Sequence, residues 1–236
     1  MSLAGKRIVV TRAAEEAGEL EALLRERGAI PVRFPCIAFE DGPDLETIAQ
    51  RVREGVDLIV VSSPHAARRL TELIGRTSIP FAAVGAATAA LLPGEVIVPR
   101  RGAGAEALLE ELAPRVRGKR VLVPRAERGT PALIDGLARA GASVEALTLY
   151  RTVTPASGDT AVLEGATAIA FASGSAVRGF FVLAGAAAAN RLAVAAIGAS
   201  TAAEAQAAGI RIDALGGEGL AGLCDALALA VAARPR

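Results

Sequence analysis

GKRIVVTRA at residues 5–13 and GKRVLVPRA at residues 118–126 are two versions of one segment, and their relation decides the fold. Self-similarity at a long period marks repeated architecture, so it is sought before any single motif. Gly28-Ala29 returns as Gly141-Ala142 and VGAAT at 84–88 as IGAST at 197–201, each 113 residues later, as for the first pair. VVSSPHAARRL at 60–70 matches AFASGSAVRGF at 170–180 with a shift of 110, so the halves differ by a few residues in a loop. The segments therefore run A, B, A′, B′.

Each unit reads as strand then helix. Ile8–Val10 is a short β-branched run, Leu20, Leu23 and Leu24 recur at helical spacing, and Gly28 ends the helix. A strand follows at 30–34, and others are expected near 57–61, 81–84, 95–98, 120–123, 143–149, 167–171, 192–197 and 210–214, with helices between most of them. The alanine-rich stretch 184–189 reads as a loop or a frayed helix end. Near-continuous apolar strands separated by amphipathic helices mean parallel sheets covered on both faces, an α/β fold.

A length of 236 residues fits one large or two small domains. With 26 Lys and Arg against 25 Asp and Glu, the net charge of +1 produces no global field for nucleic acid or membrane surfaces, although a local basic cleft stays open. Cys36 and Cys224 are 188 positions apart without a CxxC, which indicates neither a disulfide framework nor a thiolate metal site and fits a reducing cytosol. No apolar stretch approaches a membrane span, and the first residues do not read as an export signal, so a soluble, cytoplasmic protein is expected. One tyrosine, six phenylalanines and no tryptophan argue against a base-stacking platform.

In doubly wound sheets ligands bind outside the carboxyl ends of the strands, where helix N-termini offer free N–H groups. Four such junctions carry hydroxyls: Ser62-Ser63-Pro64-His65, Gly85 to Thr88, Ser173-Gly174-Ser175 and Gly198 to Thr201. Ser and Thr are good N-caps in any protein, but their pairing across the repeat, two junctions per half, favours facing anion-binding rims. Arg12 and Arg125 sit at matched positions directly after a strand, where a guanidinium is either solvated or a carboxylate ligand.

VVSSPHA, VGAATAAL, LVPRAE, LTLYRTV, FASGSAV and AIGASTAAEAQAAG, in this order over nearly the whole chain, resemble the uroporphyrinogen-III synthase family. No single motif is specific; the ordered set is. The resemblance implies two flavodoxin-like lobes joined by a two-strand hinge, with the active site in the cleft. It also implies that A pairs with B′ while B and A′ form an insert, giving lobes of residues 1–36 with 154–236 and of residues 37–153, where tandem halves would break near residue 117.

The implied substrate is hydroxymethylbilane, a linear tetrapyrrole that loses its terminal hydroxyl and closes to uroporphyrinogen III, with ring D inverted through a spiro intermediate. This is a step toward haem, sirohaem and cobalamin. Such chemistry asks for a general acid and a cavity holding both chain ends, and for no metal or organic cofactor. Tyr150 matches the tyrosine the family carries in its cleft and is the candidate proton donor; a hinge residue with its hydroxyl at the rim is the other reading. Carried over as substrate contacts are Arg12, Ser63, Thr88, Arg125, Ser173 and Ser175, with Thr201 beside the cleft and His65, the only histidine, opening a helix in the same region. Ala172 and Gly174 stand where the family often has Thr and Pro, and Ala86 and Ala199 replace a frequent proline. Glu127 either orients Arg125 or begins a helix.

A monomer is expected, with at most transient contact with the preceding pathway enzyme. The main rival is a two-lobed small-molecule binding protein without catalysis. A signalling receiver is a further rival, but the strand ends here lack the clustered acids that a magnesium-dependent phosphoryl site needs, and RRGAGAEA at 100–107 has neither GxGxxG nor GK[ST] for a nucleotide phosphate.

Overall fold

The computed structural model describes residues 2–129 and 131–234. Its first half runs β1 (Arg7–Val10), α1 (Gly18–Glu26), β2 (Ile30–Arg33), β3 (Ala38–Asp41), α2 (Leu45–Glu54), β4 (Leu58–Val61), α3 (Pro64–Ile74), β5 (Phe81–Ala83), α4 (Ala86–Ala89), β6 (Val96–Ile97) and α5 (Ala105–Leu112). The second runs β7 (Arg120–Ala126), α6 (Ala132–Arg139), β8 (Ser143–Val153), β9 (Ala168–Phe171), α7 (Gly174–Asn190), β10 (Ala193–Ala196), α8 (Ala199–Ala207), β11 (Ala214–Leu215) and α9 (Gly219–Ala233). Two units emerge, Met1–Phe39 with Val153–Arg236, and Glu40–Thr152. The resemblance put the crossings near residues 36 and 153.

In the first unit the sheet order is β11-β10-β9-β1-β2, all parallel. Counted along the chain this is the doubly wound order 2-1-3-4-5. The second sheet is β3-β8-β7-β4-β5-β6, and its pairs from β8 to β6 are also parallel. Counted from β7 it has the same order, with β3 added at the edge. The A segment (β1, β2) thus shares a sheet with B′ (β9 to β11), and A′ (β7, β8) with B (β4 to β6), the exchanged pairing rather than the tandem one.

Helices on both faces leave the central strands no polar side, so β4, β9 and β10 are buried at every residue. In the first unit Ala168, Ala170, Ala193 and Ala195 are small enough for Leu223, Ala226 and Leu227 of α9 to approach closely. On the other face Phe180 meets Phe34 and Phe171 edge to face, with ring centroids 5.4 and 5.6 Å apart. Cys36 lies in this cluster, and burial pushes its thiol far above the ordinary range.

Several elements differ from the sequence expectation. β3 has no counterpart in it, and β7 and β8 run on to Ala126 and Val153. Residues 184–189 are helical apart from Gly185, whose φ of 75° kinks α7. Of 210–214 only Ala214 joins a strand. Asp213 explains this: its N–H donates to the Val194 carbonyl (2.9 Å), and its carboxylate accepts the Val194 N–H (2.8 Å). A side chain has replaced a main-chain acceptor, so regular pairing begins one residue later. Asp57 treats Arg120 in the same way, at 2.9 and 2.7 Å.

Glu21 on α1 is 3% exposed, and its carboxylate accepts from both Arg33 and Arg25. The hydrogen bonds from Arg33, ahead of those from Arg25, hold its pKa below the usual carboxylate value. A depressed folded-state pKa contributes stability above the unfolded value, which is lost as the pH falls through the folded one. Glu21→Gln is therefore expected to cost about 1 kcal/mol at pH 7 and progressively less below about pH 4. Melting curves of both proteins from pH 7 to pH 3 check this, and a pH-independent gap would refute it.

Candidate active site

In the unit of residues 40–152 the neighbours β7 and β4 send the chain to opposite sides, β7 toward β8 and β4 toward β5. Such a reversal opens a crevice outside the carboxyl ends of the strands. A cavity of about 260 Å³ lies there, lined among others by Ser62, Ser63, Gly104, Arg125, Leu133 and Tyr150. Arg125 is the one charged side chain among its described lining residues, so the pocket favours anions.

Ser63 is the N-cap of α3, in extended conformation (φ −157°, ψ 154°), with Pro64 in the first turn where no N–H is needed. Its Oγ accepts the Ala66 N–H at 3.1 Å and lies 3.3 Å from the Tyr150 hydroxyl. Tyr150 is 7% exposed, and His65 meets its ring edge to face at 4.5 Å. A β-bulge produces this placement. The β7 and β8 residues pair one to one from Arg120 and Ser143 to Arg125 and Thr148, and Ala126 then faces Tyr150. The extra residue, Leu149, breaks the strict alternation, so Leu149 and Tyr150 are both buried. Arg125 lies inside β7 rather than after it, and its Nη1 donates to the Gly129 carbonyl at 3.2 Å.

The chain matches the family described as uroporphyrinogen-III synthase HemD over residues 18–215. A chloroplastic uroporphyrinogen-III synthase of Oryza sativa subsp. japonica is 30% identical over 223 residues, 86% of this chain and 73% of the plant protein. The chain belongs to the uroporphyrinogen-III synthase family. Two solved structures share its fold. Uroporphyrinogen-III synthetase from Helicobacter pylori has a TM-score of 0.65 at 16% identity, covering 96% of this chain and 99% of its own. A mutant uroporphyrinogen III synthase from Thermus thermophilus has a TM-score of 0.57 at 21% identity, covering 98% and 100%.

Of the residues that likeness to the uroporphyrinogen-III synthase family singles out, Ser63, Arg125 and Tyr150 share the cavity, and His65 packs on Tyr150. Thr88 lies in the same unit but is 3% exposed on α4 and does not line the cavity. In the other unit Ser173 repeats the role of Ser63: it caps α7, its Oγ accepting the Ala176 N–H at 3.2 Å. The remaining residues there already have protein partners or are buried. Ser175 accepts from Arg178, which also pairs with Glu204 at 2.7 Å. Arg12, the repeat partner of Arg125, donates to the Glu16 carbonyl (2.9 Å) and carboxylate (3.0 Å). Thr201 is 5% exposed on α8.

Glu127 fills neither role expected of it. α6 starts only at Ala132; the Glu127 N–H donates to the Tyr150 carbonyl, and its carboxylate lies 3.8 Å from Arg151 Nε. Among the described residues no group of three or more His, Cys, Asp or Glu is placed to hold a metal ion.

Ser63 offers one neutral hydroxyl, and the amides around it survive its removal. A neutral hydrogen bond contributes about 0.5 to 1.5 kcal/mol, so Ser63→Ala is expected to lower kcat/KM roughly tenfold or less, with Ser173→Ala behaving alike. A loss beyond about a thousandfold in a folded variant would instead mean a direct chemical role for the hydroxyl.

Proposed function

We propose that the chain closes hydroxymethylbilane to uroporphyrinogen III, as its family does, and that Tyr150 protonates the departing hydroxyl. The observation that carries the second part is the hydroxyl of a largely buried tyrosine, set against Ser63 at a pocket whose charge is Arg125. A hydroxyl so placed can donate its proton to a leaving group brought within hydrogen-bonding reach. The C–O bond breaks, the phenol proton leaves with the hydroxyl as water, and the azafulvenium cation left opposite the phenolate is attacked by ring D. The proton released as the last pyrrole regains aromaticity restores the phenol. Arg125 supports binding by offering a forked donor set to one of the eight substrate carboxylates. The same reading takes the enzyme as a cytoplasmic monomer in transient contact with the enzyme that makes its substrate. Two buried cysteines without a disulfide support a reducing compartment.

The test is incubation with enzymatically generated hydroxymethylbilane, followed by oxidation and identification of the porphyrin isomer. Uroporphyrin III is expected. Isomer I alone, the product of uncatalysed closure, would overturn the reading, and binding of the bilane without isomer III would favour a non-catalytic receptor.

A further inference from the structure

Gly42, Pro43 and Asp44 follow β3, and Gly-Pro-Asp is a turn signature. The main-chain and carboxylate contacts of this turn with β8 fall on the two residues just before Tyr150. Gly42 N–H donates to the Leu149 carbonyl (2.9 Å), Asp44 N–H to the Thr148 carbonyl (3.4 Å), and Thr148 N–H to the Asp44 carboxylate (2.7 Å). Approach is so close that a Cβ at position 42 would lie 2.1 Å from the Thr148 oxygen and 2.7 Å from the Leu149 carbonyl carbon. Thr148 is the last residue in one-to-one register with β7, and Leu149 is the extra one.

A bulge leaves main-chain groups outside the ladder, and buried main-chain groups need partners. Here the 42–44 turn supplies them from one side, while Glu127 N–H holds the Tyr150 carbonyl from the other. If β8 slipped into regular pairing, Leu149 would face Ala126 and Tyr150 would move on by one residue, about 3.3 Å, beyond hydrogen-bonding reach of Ser63.

We propose that the Gly42–Asp44 turn is a positioning element that locks the β8 bulge and so sets the place of the Tyr150 hydroxyl. Its effect on turnover rests on Tyr150 being the acid; its effect on the hydroxyl does not. Tyr150 is the only tyrosine and the chain has no tryptophan, so ultraviolet phenol titration and intrinsic fluorescence report this one side chain.

The experiment compares Asp44→Ala, which removes the acceptor of the Thr148 N–H, with Asp44→Asn, which keeps an acceptor oxygen. Asp44→Ala is expected to lower kcat about 10 to 100 fold, since displacements near 1 Å carry losses of that order, with KM within about threefold. It is also expected to shift the phenol titration and emission while the protein stays folded. Asp44→Asn should restore all of these to within about threefold of wild type, and in a Tyr150→Phe background Asp44→Ala should cost little more. A folded Asp44→Ala with wild-type phenol titration and emission overturns the proposal, as do losses that multiply with Tyr150→Phe when that variant is itself impaired. If Asp44→Ala does not fold, Asp44→Glu, which pushes the same contact out by one methylene, is read by the same criteria. If Tyr150→Phe turns out fully active, the acid role fails and the phenol spectra alone decide whether the turn places Tyr150.

Discussion

Tyr150→Phe is expected to lower turnover roughly 10 to 100 fold, with uroporphyrinogen III still the main product. A positioned general acid typically contributes about 10² to 10⁴ in rate, and the low end applies because hydroxymethylbilane loses water readily by itself. Isomer choice should survive because the proton donor acts on the departing hydroxyl and not on the ring-D carbon that closes the macrocycle. Folding should change little. The ring and its contact with His65 remain in Phe, and only the hydroxyl opposite Ser63 is lost, worth about 1 kcal/mol. Single-turnover kinetics beside a melting curve decide the matter. Wild-type turnover in the folded variant would leave Tyr150 as a packing residue and pass the acid role to water or another group.

Gly179→Ala is expected to cost about 3 kcal/mol and to lower Tm by roughly 10 °C. A Cβ there would lie 1.9 Å from the Cys36 carbonyl oxygen and 2.8 Å from its carbon. Neither side can yield cheaply. The Cys36 N–H is bonded to the Thr11 carbonyl, the Thr11 hydroxyl to the Ala170 carbonyl, and Phe180, next along α7, is packed between Phe34 and Phe171. The better helix propensity of alanine, worth about 1 kcal/mol, is too small to offset this. Gly18→Ala is the control. Nothing lies within 4 Å of its added Cβ at the start of α1, so it should be neutral or slightly stabilising. Equal melting of the two variants would remove the steric argument.

The central strands were legible in the sequence because burial on both faces requires unbroken apolar runs, as in LIVV at 58–61 and AVAA at 193–196. β3 was not. As an edge strand, AFED carries two acids, and no face of it is forced to be apolar. The repeat revealed the segments but not their partners, because tandem and exchanged pairings bury the same side chains locally and differ only in contacts between segments far apart in the chain. Within the candidate site, Ser63 and Ser173 followed from N-cap chemistry, and both cap helices. Arg12 and Arg125 looked equivalent by position; Glu16, four residues after Arg12, separates them, and that spacing was visible. The bulge at Leu149 was beyond reach, because it depends on how a turn beginning at Gly42 meets β8.

The exchanged pairing also has a consequence for the order in which the protein can be completed during synthesis. Residues 40–152 form one contiguous unit, with all its strands from β4 to β8 available as soon as that stretch has left the ribosome. The preceding 39 residues cannot finish at that point. β1 is an inner strand whose second neighbour, β9, begins at Ala168, and Leu20 and Leu24 of α1 belong to the same buried cluster as Leu223 and Leu227 of α9. The nascent chain thus carries a two-stranded fragment with an uncovered apolar face while the inserted unit folds behind it, and the fragment becomes a domain only when the last segment arrives. Until then the apolar side of α1 and one edge of β1 lack the partners that cover them in the finished fold.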